Sequence, residues 1–371
     1  VKDESFFEGT QALEFNGLPT IQQKIAVYGF PIGGNSISVS TGIVSRIEHT
    51  RYAHSRERFL SIQIDAAVNP GSSGGPAISD GKIIGVVMQQ ISKSQSIGYI
   101  VPVEIVKHFL EDVADGKYDG FAHLGLDTQM MENNSLRSIY KMDKNTTGVL
   151  IIDISQKSSA YNYLKKGDVL LSIDSHDIQN DGTVEFREHQ FTSYKYYVDK
   201  KQLGESVTMD ILRDGEVLSV DVLLNSIADD NLLVNTVEHD VMPNYFIFGG
   251  YVFTPLTRNL LINNRSTLLQ LRLAANRWAT DEKDEVVILL KVLASETNRG
   301  DHSFALWMVD KVDGQCFKDF KEFKALVQNA QNKYVVFENL DGVKVAVDKE
   351  EALKIENTIL KRYSIKSSQR I

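Results

Sequence analysis

The chain has 371 residues, of which 42% are hydrophobic and 24% are charged, and its formal net charge is −9. This length exceeds one typical core and predicts two or three domains. The acidic balance argues against a nucleic-acid partner, because phosphate binding needs a basic surface, and no apolar run is long enough to predict a membrane span.

The first segment, residues 1–115, reads as short strands separated by glycine turns. It ends in a predicted helix over 103–113, because apolar residues recur there at a helical period. The expected apolar face of that helix comprises Val103, Val106, Phe109, Leu110 and Val113. A turn-rich stretch at 115–120 predicts the boundary to the next segment.

Within this segment, residues 69–76 (Asn-Pro-Gly-Ser-Ser-Gly-Gly-Pro) form a glycine-rich turn between two strand-like runs. Glycines allow the backbone to fold closely and to direct successive N–H groups at one point, as an oxyanion hole requires. Ser73 is therefore the candidate nucleophile, Ser72 belongs to the oxyanion loop, and the amides of Gly71 and Ser73 are the candidate donors. The alternative is an ordinary surface turn.

The same stretch also satisfies G-x-S-x-G, the nucleophile elbow of α/β-hydrolases, which needs a helix directly after the serine. Here Pro76 follows, and then a β-branched run over 82–88 that predicts a strand. A strand, a glycine turn and a second strand are typical of a β-barrel serine protease instead.

The second segment, about 121–226, predicts a strand at 149–152, a short helix at 158–164, a turn at 166–168 and a strand at 169–174. The third, about 240–347, contains a predicted helix over 317–329 and a closing hairpin around 334–342. The tail, 348–371, begins with a D-x-x-E capping pattern at Asp348. Its helix is expected to bury Leu353, Leu360 and Tyr363.

Four ordered blocks carry a family resemblance: 27–34, 39–46, 63–76 and 97–102. They resemble the second barrel and active-serine segment of the HtrA/Deg proteases, with Ser72 where that family usually has Asn. The order L-x-x-G-D around Leu164 to Asp168 resembles a PDZ domain. The third segment is similar to a divergent second PDZ domain, and the block 245–256 resembles the plant and organelle-type branch.

The resemblance implies a mostly β fold with α+β modules: part of a trypsin-like β-barrel (1–115), a PDZ domain (121–226), a PDZ-like domain (240–347) and a C-terminal helix and tail (348–371). It implies an ATP-independent serine endopeptidase of protein quality control that acts on unfolded proteins and assembles as a homotrimer or a larger array of trimers. The alternative is an inactive PDZ scaffold or holdase. An organelle or the nucleus is favoured over secretion, and the compartment stays open.

The resemblance also implies binding sites. The pocket for the substrate side chain before the scissile bond comprises Ala67, Val68, Met88, Gln89 and Gln90. It has no carboxylate, so cleavage after small or medium aliphatic residues is expected. Peptide-binding loops are expected at Ala122, His123, Leu124, Gly125 and Leu126, and again at Phe248, Gly249, Gly250 and Tyr251. No cofactor fingerprint is present, and six histidines show no metal-ligand spacing with one another or with Cys316. They are His108, His123, His176, His189, His239 and His302.

A serine nucleophile needs a base and an orienting acid. Before Ser73 the sequence holds two histidines, His49 and His54, both in a polar pattern typical of a surface loop. Asp65 is expected to be structural. The histidine and aspartate of the triad are therefore expected upstream of Val1. The basic, tyrosine-rich stretch 195–201 is predicted to be solvated surface.

Overall fold

The computed structural model describes residues 3–32, 35–52, 57–90, 97–263 and 269–370. Two compact units divide the chain. The first contains residues up to 154 together with 162–227, and the second contains 155–161 together with the residues from 228 onward. In the described ranges, no helix combines the length and hydropathy needed to cross a lipid bilayer.

A closed six-stranded barrel opens the first unit, with neighbouring strands in the order β1-β2-β3-β6-β5-β4. Pairing of Ala26 with Ile78 and of Val27 with Ala77 closes it between β1 and β4. This barrel confirms the predicted trypsin-like fold. Its elements are β1 (Lys24–Gly29), β2 (Ser38–Arg51), β3 (Arg58–Ile64), β4 (Pro76–Ser79), β5 (Lys82–Gln90), β6 (Gly98–Pro102) and α1 (Val103–Asp112).

The helix predicted over 103–113 is confirmed as α1, but its buried face differs from the prediction. Phe109 and Leu110 are 46% and 49% exposed, whereas His108 is buried. The imidazole of His108 stacks on Phe121 at 4.2 Å, and its Nε2 lies 3.0 Å from the carbonyl oxygen of Lys201. The polar His108, held by these two contacts, is therefore buried where the apolar pattern predicted Phe109 and Leu110 to be buried.

The predicted PDZ module continues the first unit with a sheet in the order β14-β13-β9-β8-β7, in which β10 also pairs with β9, and with a separate β11-β12 hairpin. Its elements are β7 (Leu126–Met130), α2 (Asn134–Ile139), β8 (Val149–Ile154), β9 (Val169–Ile173), β10 (His176–Asp177), β11 (Thr183–Arg187), β12 (Gln190–Ser193), α3 (Tyr196–Asp199), β13 (Ser206–Arg213) and β14 (Glu216–Leu223).

The Gly-Asp pair of this module is structural. Gly167 has a φ of +98°, which glycine adopts without strain. The buried carboxylate of Asp168 accepts hydrogen bonds from the amide of Lys165 and from Nε and Nη2 of Arg213, each at 2.7 Å. This bidentate ion pair ties the turn to β13.

The helix predicted over 158–164 is wrong, because the structure has consecutive turns there. The Ser155 carbonyl accepts from the amide of Ser158, and its hydroxyl accepts from the amide of Lys157. Serine side chains offer the backbone such local partners, which compete with the helical ladder.

The second unit holds two sheets, in the orders β18-β17-β16-β15-β23 and β20-β19-β21-β22. Its elements are α4 (Ala228–Asn231), β15 (Tyr245–Phe248), β16 (Tyr251–Pro255), α5 (Arg258–Asn263), α6 (Leu269–Ala274), β17 (Val287–Val292), β18 (Trp307–Val309), β19 (Lys311–Val312), β20 (Gln315–Cys316), α7 (Phe320–Asn329), β21 (Tyr334–Glu338), β22 (Lys344–Asp348), α8 (Lys349–Arg362) and β23 (Gln369–Arg370).

Aromatic side chains fill the core of this unit, where Phe253 lies 5.0 Å from Phe323 and 4.6 Å from Phe337 between ring centroids. The terminal helix α8 begins as predicted, with the Asp348 carboxylate accepting from the amides of Glu350 and Glu351. Its predicted apolar face is confirmed only for Leu360, which is half-buried and packs against the cluster that contains Ile359. Leu353 and Tyr363 are exposed, and Ala352 and Ile359 are buried instead.

Candidate active site

The Ser73 turn joins the end of β3 to the start of β4, and it is packed too tightly for side chains at its glycines. A Cβ at Gly75 would lie 2.0 Å from the carbonyl oxygen of Tyr28, and one at Gly71 would lie 2.4 Å from that of Phe30. Gly71 and Gly74 also have positive φ angles of +98° and +85°. The end of β1 and the residue after it therefore hold the turn in shape.

The Ser73 hydroxyl is exposed and donates to the carbonyl oxygen of Met88 at 3.3 Å. Ser72 is buried, so the first of the two adjacent hydroxyls is withdrawn from solvent and the second is presented to it. In the described part of the chain, no group accepts a hydrogen bond from the amide of Gly71 or Ser73. Both amides thus lie next to the exposed Ser73 hydroxyl, and neither has a hydrogen-bond acceptor among the described residues.

The predicted substrate pocket residues occupy the segment before this turn and the strand beside it. Ala67 is exposed and Val68 is buried against β6, where a Cβ at Gly98 would approach Val68 Cγ2 to 2.7 Å. Met88 lies beside Ser73, because its carbonyl oxygen accepts a hydrogen bond from the Ser73 hydroxyl. In β5, Gln89 pairs with Tyr99, and Gln90 pairs with Gly98.

Asp65 is structural, as expected. Its Oδ1 accepts a hydrogen bond from the amide of Ile43 at 2.6 Å. Gly42 leaves room for this contact because it has no side chain, whereas a Cβ there would lie only 2.3 Å from Oδ1 of Asp65. The carboxylate thereby fixes the segment before the serine turn against β2.

His49 lies in β2 opposite Leu60, so the prediction that it belongs to a surface loop is wrong. Its Nε2 is 2.7 Å from Oδ2 of Asp199 in α3, and the two side chains are only 6% and 10% exposed. Burial raises the pKa of Asp199, and the hydrogen bond from His49 partly offsets that rise. His49 is thus engaged by a carboxylate of the PDZ module, and His54 lies outside the described residues.

Residues 195–201 are not solvated surface, which is a second correction. Tyr196 and Tyr197 are buried, and the Tyr196 hydroxyl donates to Oε2 of Glu104 in α1 at 3.0 Å. Together with the Asp199 and Lys201 contacts, this segment ties the PDZ module to the barrel within the first unit. The interleaved tyrosines were the available indication, since a solvated face rarely needs large rings.

The first peptide-loop residues line a cavity of about 20 Å³. Tyr194, Lys195, Val198 and Asp199 form the other side of the cavity. This volume is close to that of one water molecule. The cavity would therefore have to widen before an apolar peptide side chain could enter. The lining residues from the loop are Ala122, His123, Leu124, Gly125 and Leu126.

The Gly125 amide in this loop donates to Nδ1 of His123 at 3.0 Å. Burial, with a smaller contribution from Lys195, lowers the pKa of His123 to about 4. An imidazole that accepts at Nδ1 must be neutral, which agrees with that direction. The amide of Gly125, which lies in the predicted peptide-binding loop, is therefore already engaged by His123.

We expect His123 to make stability depend on pH. Because its folded pKa is about 4 and its unfolded pKa is about 6.5, the unfolded state binds more protons between these values. Stability is then complete above about pH 6.5 and falls as the pH drops toward 4, by up to about 3 kcal/mol. Urea unfolding at pH 7 and pH 5 should show a smaller loss for His123→Gln than for the wild type.

The control for this measurement is His189→Gln, since that histidine side chain is 91% exposed. This variant should lose as much stability as the wild type over the same range. An identical loss in His123→Gln and in the wild type would contradict the assignment.

The second set of peptide-loop residues lies in the core of the second unit. Phe248 and Tyr251 are buried, and the carbonyl oxygen of Gly249 accepts from Nδ2 of Asn298. The strand that follows the loop, β16, is paired on both sides, with β15 and with β17. Peptide capture by strand addition needs a free edge, which β16 does not offer.

Comparison with known proteins identifies the class of protein. The trypsin-like peptidase domain family matches residues 8–86, and two PDZ domain families match residues 122–224 and 234–370. The chain is 34% identical to putative protease Do-like 13 of Arabidopsis thaliana, over 98% of this chain and 71% of that protein. The chain therefore belongs to the Do-like family of serine proteases, also called HtrA/Deg.

Two further Arabidopsis thaliana relatives are similar. The chain is 38% identical to protease Do-like 4, mitochondrial, over 88% of its length, and 36% identical to protease Do-like 2, chloroplastic, over all of it. It spans 61% of the length of each of these two relatives. A solved structure, HtrA-type protease AlgW with tripeptide, is 22% identical, covers 58% of this chain and 70% of that one, and has a TM-score of 0.46.

Proposed function

We propose that the protein is an ATP-independent serine endopeptidase that degrades unfolded or damaged proteins, with Ser73 as its nucleophile. The observation that carries the proposal is the exposed Ser73 hydroxyl beside two amides, those of Gly71 and Ser73, for which the described residues hold no acceptor. Relatives named as proteases support the reaction class.

In this mechanism Ser73 Oγ attacks the carbonyl carbon of the scissile peptide bond while a base removes its proton. The two amides stabilise the oxyanion of the tetrahedral intermediate. Collapse of the intermediate breaks the C–N bond, the amine leaves with the proton returned by the base, and water then hydrolyses the acyl-enzyme. The proposal also requires a base and an orienting acid, and among the described residues no histidine bonds to Ser73.

The test is covalent labelling of the full-length protein with a serine-directed phosphonate. The wild type should be labelled once, and Ser73→Ala should not be labelled. Ser219→Ala changes an exposed serine of β14 and should be labelled like the wild type. Absence of labelling in the folded wild type would favour the scaffold alternative.

We further propose cleavage after small or medium aliphatic residues, because none of the pocket residues Ala67, Val68, Met88, Gln89 and Gln90 is charged. Ala67→Asp should add a preference for Lys or Arg at that substrate position, since a carboxylate beside the bound side chain attracts a cation. Sequencing the products of a peptide library would measure this change.

The matched control for the pocket is Asn69→Asp, which adds the same charge at an exposed position of the same segment. It should leave the side-chain preference as it is. If Ala67→Asp leaves the preference unchanged too, the pocket assignment is wrong.

For the accessory modules, we propose that residues 122–126 of the first PDZ domain bind peptides and that the second mediates assembly, in keeping with its closed loop. A homotrimer or a larger array of trimers is the proposed assembly. A mitochondrion or a plastid is the proposed compartment, as the names of the relatives suggest, and nothing in those names supports the nucleus.

A further inference from the structure

A second cavity of the first unit, of about 300 Å³, lies on the PDZ module and plays no part in the proposed proteolysis. It is bounded by the end of α2, the turn before β9 and the β13–β14 hairpin. Its lining includes Lys141, Lys165 and Lys166, together with Tyr140. This volume is at the lower end of the range typical of small-molecule sites.

The cavity has an excess of positive charge in a chain whose net charge is −9. Arg213 and Asp168 also line it, but they neutralise each other in the bidentate ion pair described above. Among the described residues, no carboxylate forms an ion pair with any of the three lysines. Asp214 is the remaining acidic residue of the lining.

One of these lysines is held in place by the local backbone. The ammonium group of Lys141 donates to the carbonyl oxygen of Asp214 at 2.8 Å. Its stem passes over Gly215, where a Cβ would lie only 2.9 Å from Lys141 Cδ. Because Gly215 also has a φ of +96°, the hairpin needs glycine there for two reasons. The hydrogen bond to Asp214 thus places the ammonium group at the hairpin side of the cavity, although Lys141 itself is exposed.

We propose that this cavity binds a phosphate monoester. With Arg213 paired, three lysines face one aspartate, and the resulting excess of two positive charges matches the charge of about −1.5 to −2 on a phosphate monoester at neutral pH. Lysine ammonium groups bind phosphate as point charges. Ile139, which is 73% exposed and also lines the cavity, would lie beside the organic part of the ester.

The ester can be a free metabolite or the headgroup of a lipid, and two probes distinguish these sources. Glycerol phosphate, titrated into the full chain by calorimetry, should bind where glycerol does not. Vesicles of phosphatidylcholine with phosphatidic acid present the same monoester on a membrane. Vesicles with phosphatidylglycerol carry only a phosphodiester and should bind less. Binding to the phosphatidic acid vesicles but not to glycerol phosphate would identify the ligand as a lipid headgroup. Binding to both probes would identify it as a free phosphate monoester.

Lys141→Gln should weaken binding of glycerol phosphate or of the phosphatidic acid vesicles at least about fivefold, and the triple variant with Lys165→Gln and Lys166→Gln should abolish it. The matched control replaces Lys107, Lys117 and Lys366 by Gln, which removes the same charge from other exposed positions. Equal weakening in both triple variants would mean a general charge effect and would overturn the proposal. Absence of binding to both probes in the wild type would overturn it as well.

Discussion

Ser73→Ala is expected to lower kcat for peptide hydrolysis by the full-length protein by a factor on the order of 10⁴ to 10⁶. In the proposed mechanism, the substitution removes the oxygen atom that forms the acyl bond and leaves only the stabilisation that the turn amides would provide. KM should change little, because Ala67, Val68 and Met88 keep their positions. A fluorogenic peptide assay with separate kcat and KM would measure both.

Ser219→Ala is the control for this assay, and its kcat should stay within about twofold of the wild type, since surface substitutions have small effects. If Ser73→Ala kept more than about 1% of the wild-type kcat, another residue would have to be the nucleophile.

Breaking the buried pair of His49 and Asp199 is expected to have the largest effect on stability. Asp199→Ala should destabilise the first unit by about 3–5 kcal/mol, because it leaves a buried imidazole without its partner. His49→Ala should cost a similar amount for the same reason. Urea unfolding of each single variant and of the double variant would give the coupling energy between the two side chains.

The control for this cycle is Asp177→Ala, which removes an exposed carboxylate from the same module. It should change the free energy of unfolding by no more than about 0.5 kcal/mol. If the losses in the free energy of unfolding for His49→Ala and Asp199→Ala add up in the double variant, a direct interaction is contradicted. A double variant that is only slightly less stable than either single variant would agree with a direct interaction.

The tight Ser73 turn was predictable from sequence because its backbone geometry is determined locally. The glycines at 71, 74 and 75 indicate a tight turn that residues with side chains cannot readily form. Pro76 and the strand after it exclude the nucleophile elbow of α/β-hydrolases, which needs a helix there. The β-branched run over 82–88 likewise predicted β5. These features depend on neighbours within about ten residues.

The contacts between barrel and PDZ module were not predictable, because their partners are distant in sequence. His49 and Asp199 are 150 residues apart, and Glu104 and Tyr196 are 92 apart. A histidine in a polar stretch and a lysine-rich run with tyrosines both look solvated until the fold brings their partners together. The buried faces of α1 and α8 differed from prediction for a related reason, since tertiary partners decide which side of a helix is buried.

A crystal structure of the full-length protein after reaction with a serine-directed phosphonate would show directly whether Ser73 is the nucleophile. We predict a bond between phosphorus and Ser73 Oγ, with the phosphoryl oxygen about 2.7–3.1 Å from the amide nitrogens of Gly71 and Ser73. An adduct on any other residue would contradict it. So would a phosphoryl oxygen directed into solvent while both amides donate to other groups.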